Sequence, residues 1–202
     1  MGKVISSHAV SVDGYITGRG AGPGHGLGDG GMLFDWYFSG DTPSRVFDGF
    51  RLSAQSARVF DELAGRIGAV VAGWNTYEDS ERFGGGSPHP NARLFAVGHP
   101  GAPEVGERQT LVTTGIEDAI TAAKQEAAQK EAGQRDVGLM GGGVLAAALR
   151  AGLVDEIVLH QVPILLGGGR PFFQELPGHV RLRLIEAVAA PGVTHLRYAV
   201  ER

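Results

Sequence analysis

The chain has 202 residues, enough to bury a substantial core without covalent staples. It contains no cysteine, which excludes disulfides, thiolate metal sites, iron–sulfur clusters and cysteine nucleophiles. With 18 Lys and Arg against 22 Asp and Glu, the formal charge of −4 lacks the positive excess that backbone-led nucleic-acid binding needs, so no nucleic-acid partner is expected.

No apolar run approaches the ~18 residues of a membrane span, and no membrane partner is expected. The first residues show no signal-peptide core. Met1-Gly2 fits a loose myristoylation pattern, but it also opens a strand expected to be buried. The cytoplasm is the expected location.

In chain order, Lys3 to Val10 is short, apolar and β-prone, and reads as a first strand closed by Asp13-Gly14. Eight of the chain's 33 glycines fall between Gly18 and Gly31. Glycine loses most backbone freedom on ordering, so this run predicts a long mobile loop with no regular element. Met32 to Phe38 is apolar and aromatic. Thr42-Pro43 predicts a helix cap with proline at the first helical position. Ser53 to Arg66 has helical spacing at Val59, Phe60, Leu63 and Ala64.

Gly68 to Ala72 predicts a buried strand, and Asn75 to Glu78 a short helix after it. Gly84 to Pro90 reads as loop. Ala92 to Val97 and Leu111 to Thr113 are further strands. Thr114-Gly115-Ile116-Glu117 predicts a capping box for a helix that Gly133 stops. Lys124 to Glu131 predicts a solvated charged face on that helix. Val137 to Met140 is a strand, Val144 to Arg150 a helix and Val154 to Val162 a strand. Pro163 to Pro171 is loop. Arg181 to Leu184 and Val193 to Val200 alternate in period two around Pro191-Gly192, an antiparallel hairpin. The order predicts an α/β fold over residues 1–202 as one domain: a mostly parallel central sheet flanked by helices, with an antiparallel C-terminal hairpin.

In such sheets ligands bind beyond the carboxyl ends of the strands. Gly141-Gly142-Gly143 stands between a strand and a helix, where bare amides and a helix start suit an anion. Gly73-Trp74-Asn75-Thr76 is a second corner; Asn75 and Thr76 either cap the helix or hold a phosphate. Val97-Gly98-His99-Pro100 ends a third strand, and His99 is either a loop residue or a contact to an adenine or ribose phosphate. Asp13 is either a turn residue or a proton relay. Asp35 beside Trp36 is either a helix-start residue or a carboxylate against an aromatic wall. His8, His160 and His195 fall in strands and read as packed or hydrogen-bonded. The histidines form no metal pair at helical spacing, and no metal site is expected.

Taken together, Ser11 to Ile16, Val71 to Glu78, Leu139 to Gly143, Gly152 to Ile157 and Val162 to Phe173 resemble the dihydrofolate-reductase-like fold, and within it the reductase domain of riboflavin biosynthesis and its stand-alone relatives. The resemblance implies an NAD(P)H-dependent reductase, a homodimer, that transfers a hydride to a small pterin-like or ribosylaminopyrimidine-like heterocycle. A non-catalytic nucleotide-binding relative, or a secondary-metabolism reductase with an unrelated substrate, are the alternatives. It implies NADPH, with Ala9 and Ile16 flanking the nicotinamide, Gly73, Trp74, Asn75 and Thr76 at the pyrophosphate and adenosine phosphate, and Gly98 and His99 by the adenine ribose. Gly141, Gly142, Gly143, Val144 and Leu145 would cradle the pyrophosphate and nicotinamide ribose. Asp13 and Asp35 are the candidate catalytic carboxylates. The family usually has arginine where this chain has Trp74. Tryptophan stacks but cannot neutralise a 2′-phosphate, so NADH and lost cofactor binding stand as alternatives to NADPH unless Arg93 or Arg108 compensates.

Overall fold

The computed structural model describes residues 2–130, 133 and 135–201. The expectations at Met1 and Glu131 lie outside the described residues. The chain begins with β1 (Val4–Ser11) and a 3-10 segment (Gly28–Phe38), followed by β2 (Thr42–Pro43), β3 (Arg51–Leu52) and α1 (Ala54–Ala64). Next come β4 (Ile67–Gly73), α2 (Trp74–Asp79), β5 (Arg93–Val97), β6 (Gln109–Val112) and α3 (Ile116–Ala128). The remainder is β7 (Asp136–Met140), α4 (Gly142–Arg150), β8 (Glu156–Val162), β9 (Leu182–Ala190) and β10 (Val193–Val200).

Eight strands form one sheet in the order β6-β5-β4-β7-β1-β8-β10-β9. Pairs from β6 to β8 are parallel, and β10 is antiparallel to both β8 and β9. The expected architecture is therefore present. Parallel strands need cover on both faces, which is why Ala69-Val70-Val71-Ala72 is a continuous apolar run. On one face α3 and α4 lay Ile120, Ala123, Leu145 and Ala148 over Val4, Val71 and Leu139. On the other, α1 brings Val59 and Leu63 onto Ile5 and Val158, and the 3-10 segment adds Leu33 and Trp36.

Four local expectations are corrected. Thr42-Pro43 is a strand paired with Arg51-Leu52, not a helix start. The cap of α1 is Ser53, whose Oγ accepts the Ser56 N–H. The Asp61 carboxylate accepts from Ser44 Oγ and Arg45 N, which ties the β2–β3 turn back to α1. The capping box at Thr114 does not form: Gly115 takes the cap position at φ +111°, a backbone conformation open to glycine, and no side chain bonds the helix start. The same helix ends at Ala128, ahead of Gly133. The glycine run is folded rather than shapeless. Gly18 N donates to Leu27 O at 2.9 Å, Gly22 bridges Gly26, and Gly28 to Gly31 already belong to the 3-10 segment that Leu33 and Trp36 anchor.

Close packing at one corner limits what the sequence can carry there. A Cβ on Gly142 would stand 2.6 Å from Phe172 O and 2.7 Å from Pro171 O, both backbone atoms. Gly142→Ala is expected to destabilise the protein by about 1–3 kcal/mol in urea melts, the usual cost of overpacking. Stability equal to the parent would show that the approach is not close.

Candidate functional site

The carboxyl ends of β4, β5 and β7 open into a cleft of about 590 Å³. Two glycine corners build it. Gly73, Trp74, Asn75 and Thr76 line one wall, Gly142, Gly143 and Val144 the other, and Ile16, Arg170 and Pro171 close the side. The corners touch. A Cβ on Gly141 would fall 2.3 Å from Thr76 Oγ1, and Gly141 turns at φ +106°. Gly141 thus lies beneath the cleft rather than in its lining. The first amides of α4, on Gly142, Gly143 and Val144, precede the first intrahelical bond and have no backbone acceptor among the described residues. They are the donors that the start of α4 leaves unpaired. Leu145 is not one of them, contrary to expectation: its N–H bonds Gly141 O at 3.1 Å and its side chain is buried in the core.

The capping alternative for Asn75 and Thr76 is also settled by geometry. The N-cap of α2 is Gly73 and no side chain caps it, so both side chains are left to line the cleft. Trp74 packs against Tyr77 at 5.0 Å between ring centroids and meets His99 edge-on at 5.5 Å. Gly98 lies under the Trp74 ring, where a Cβ would stand 2.8 Å from it. Gly98 and His99 therefore support Trp74 from outside the cleft lining. Arg170 lines the cleft but is paired with Asp79 at 2.6 Å. Arg93 and Arg108 do not compensate for Trp74. Arg93 starts β5 at the far end from the cleft, and the two guanidinium groups donate to the carbonyls of Glu107, Gln109, Pro90 and Ala92.

A second cavity, of about 390 Å³, lies between the sheet and α1. Phe34, Tyr37, Phe38, Phe47, Phe50 and Phe60 line it, over a floor that includes Ser7, Ala9 and Gly138. Ala9 belongs here and Ile16 to the cleft, so the two expected flanking residues stand in different cavities. The cavities share a wall. Met140 lines this one, Gly142 lines the cleft, and His8 Nε2 accepts the Gly141 N–H between them at 2.8 Å. That bond leaves the His8 proton on Nδ1.

Behind the cavity runs a buried polar chain. Ser7 Oγ bonds His160 Nε2 at 2.9 Å, His160 Nδ1 bonds His195 Nδ1 at 2.7 Å, and His195 Nε2 bonds Ser56 Oγ at 2.9 Å. With both rings neutral, one of the two must hold its proton on Nδ1 and the other on Nε2. The chain therefore has two tautomeric senses of equal connectivity. Strand position made these histidines packing residues in the sequence, and they are hydrogen-bonded as expected. Sequence reasoning missed that His8 reaches Gly141, because the two are 133 residues apart. It also missed the aromatic cavity, whose signal was the density of Phe and Tyr between residues 34 and 60.

Neither candidate carboxylate lines a cavity. The Asp13 carboxylate accepts from Ser11 Oγ at 2.6 Å, Gly167 N at 2.7 Å and Leu166 N at 3.1 Å. The Ser11 bond, then the two amides, hold its pKa below the usual carboxylate range. It pins the loop after β8 to the loop after β1. Asp35 is exposed, because the 3-10 repeat turns Leu33 and Trp36 inward and leaves position 35 outside.

Residues 101–196 match the family model of the RibD C-terminal domain. The chain is similar over its whole length to a protein assigned to riboflavin biosynthesis in Shewanella sp. PV-4, with 25% identity, a TM-score of 0.69 and complete coverage of both chains. It is similar to a pyrimidine reductase-like protein from Corynebacterium diphtheriae at 16% identity and a TM-score of 0.64, covering 100% of this chain and 92% of that one. A dihydrofolate reductase from Enterococcus faecalis, complexed with NADP(H), matches at 14% identity and a TM-score of 0.60 over 99% and 97% of the chains. The fold is dihydrofolate-reductase-like. Within this dihydrofolate-reductase-like chain the RibD match takes in β6 to the first half of β10, including the Gly141 corner, and leaves the Gly73 corner outside. A comparison with curated proteins finds no match. No helix among the described residues is long and apolar enough to cross a membrane.

The buried histidines of this dihydrofolate-reductase-like fold make its stability depend on pH. Burial lowers the pKa of His8 and of His195 to about 4, and puts that of His160 well below its ordinary value. An unfolded histidine titrates near 6.5. Below that pH the unfolded chain binds protons that the folded chain refuses, so stability is full above about 6.5 and falls towards pH 4. The expected slope is roughly 1.4 kcal/mol per pH unit for each histidine. Chemical melts between pH 7 and 4.5 check this, and His195→Gln should flatten the slope. Stability that is level or rising on acidification would contradict the arrangement.

Proposed function

We propose that the protein is a nicotinamide-dependent reductase that delivers a hydride to a conjugated C=N or C=O of a small planar substrate. The observation that carries this reading is the pair of touching glycine corners, with the unpaired amides of Gly142, Gly143 and Val144 facing one cleft. The glycine contacts leave backbone where any side chain would fill the floor, and bare helix-start amides suit a pyrophosphate. Those residues fit a dinucleotide: the amides of α4 for the pyrophosphate, Gly73 to Thr76 with the Trp74 ring for the adenosine end, and Ile16 with the His8 wall for the nicotinamide end. The RibD match and the reductase neighbours support the same assignment.

When bound, the nicotinamide supplies the hydride. The chain's own residues do the rest. Hydride transfer needs the two rings in contact, so the nicotinamide end reaches past the Gly141 corner to the mouth of the aromatic cavity, which holds the acceptor ring and keeps it dry. Ser7 Oγ, on the cavity floor, gives the proton that accompanies the hydride and is reprotonated from His160 Nε2 as the Ser56–His195–His160 chain reverses its tautomeric sense; the proton lost at the Ser56 end is replaced from solvent through the half-buried Ser53 Oγ, which donates to Ser56 Oγ at 3.0 Å. Asp13 is a positioning residue that sets the loop over the Ile16 side.

The cleft offers the 2′-phosphate no unpaired cation among the described residues, since Arg170 answers Asp79. NADPH and NADH are therefore expected to bind within about tenfold of each other, a difference of ~1.4 kcal/mol. Trp74→Arg should shift the ratio towards NADPH by at least about tenfold, because arginine brings a charged fork to that corner. Nicotinamide fluorescence titrations measure both. If neither nucleotide binds at millimolar concentration, the reductase reading is withdrawn.

Ser7→Ala should lower kcat about 10²-fold with little change in KM, the range of a lost proton donor. A KM effect alone would assign Ser7 to binding instead.

A further inference from the structure

We infer that the substrate is an uncharged, planar aromatic ring system of two or three fused rings carrying a conjugated carbonyl or imine, and not a phosphate-bearing or cationic one. This rests on the reductase reading for the role of the cavity, but its evidence is the cavity itself. No Asp, Glu, Lys or Arg lines it. Its two histidines are neutral. Burial lowers the pKa of His8 to about 4 and that of His89 below its ordinary value. His89 is moreover committed to the protein, donating from Nε2 to Ala64 O at 3.0 Å and accepting at Nδ1 from Asn91 N.

A phosphate placed there would lose its water and gain no counter-charge, a cost that drives charged groups out of apolar sites. A pterin or aminopyrimidine presents adjacent N–H donors, which a carboxylate would pair. No carboxylate is present, and Asp35, the nearest candidate by sequence, faces solvent. What the cavity does offer is flat surface. Tyr37 stands 4.6 Å from Phe50 and 5.3 Å from Phe60 by ring centroids, and Phe47 stacks on Phe50 at 15°. A volume of about 390 Å³ lies at the small end of ligand sites, which run from roughly 300 to 1,000 Å³.

Its free polar atoms are few. The Tyr37 hydroxyl has no partner among the described residues, and burial raises its pKa, so it keeps its proton; the His8 ring points to the other face of the sheet, against Phe172. A hydroxyl donor on an apolar wall matches a ring acceptor. That is the pattern of a conjugated carbonyl or imine.

The matched probes are the 2-sulfonamide and the 2-sulfonate of 1,4-naphthoquinone, alike in size and differing by one negative charge. The chain has no cysteine to add to the quinone. Binding is followed by calorimetry and by quenching of Trp36, whose ring lies 4.1 Å from Tyr37. The neutral ring should bind at least about tenfold tighter than the sulfonate. Gly138→Leu should weaken it about tenfold or more by filling the floor; a Cβ at 138 meets Ile67 at 3.6 Å, ordinary contact, so Gly138→Ala should fold normally. Tyr37→Phe, which keeps the ring, should weaken it about threefold to tenfold. Equal or tighter binding of the sulfonate, no binding of either ring, or indifference to both Gly138→Leu and Tyr37→Phe would overturn the inference. NADH and NADPH are titrated in the same samples. Quinone binding without nucleotide binding would remove the reductase reading and uphold the cavity assignment.

Discussion

The close approach of two chain corners at the ends of β4 and β7 is the constraint on which the rest of this protein depends. Thr76 Oγ1 occupies the space that a side chain at Gly141 would need, and the carbonyls of Pro171 and Phe172 occupy that of Gly142. With side chains removed, the backbone amides of α4 are left as the chemistry of the corner. The strand next door completes it, since His8 on β1 takes the Gly141 N–H and so fixes both its own tautomer and the corner's position. One hydrogen bond thus joins the wall of the polar cleft to the wall of the aromatic cavity.

The two cavities have opposite characters because they lie on different parts of the sheet. The cleft is made where parallel strands end, and exposes amides and helix starts. The aromatic cavity is made on a sheet face, between strands and α1, where alternate residues of β1 point. Ile5, Ser7 and Ala9 share that face, so the one hydroxyl among them meets a buried histidine rather than water. The His160–His195 contact crosses β8 and β10, which are paired in register at these residues. A polar chain in such a place must be fully hydrogen-bonded or it would destabilise the core.

Loop anchoring follows from the same frame. Asp13 accepts two amides from the loop after β8, Thr17 Oγ1 accepts the Arg170 N–H, and Tyr15 bridges Pro171. These bonds hold the loops that follow β1 and β8 together over the Ile16 side of the cleft. Asp13 thereby contributes geometry, and its lowered pKa is a by-product of the amides and hydroxyl it accepts from.

Much of the fold was legible in the chain. Apolar runs such as Ala69 to Ala72, the glycine corners, and the period-two alternation of the last hairpin report backbone requirements, which are local and leave local traces. The loose aromatic stretch from Phe34 to Phe60 was visible only as composition. Asp13 and Asp35 looked like candidate acids because residue type and neighbours are all that a sequence displays. Whether a carboxylate faces a cavity, a pair of amides or solvent depends on a helical phase and on a loop some 150 residues away. The strand and helix order, the two glycine corners and the absence of thiol chemistry follow from residue type and spacing along the chain. That His8 meets Gly141, that His160 meets His195 and that the aromatic cavity carries no charge emerges in the folded molecule alone, because each is set by packing between segments far apart in the chain.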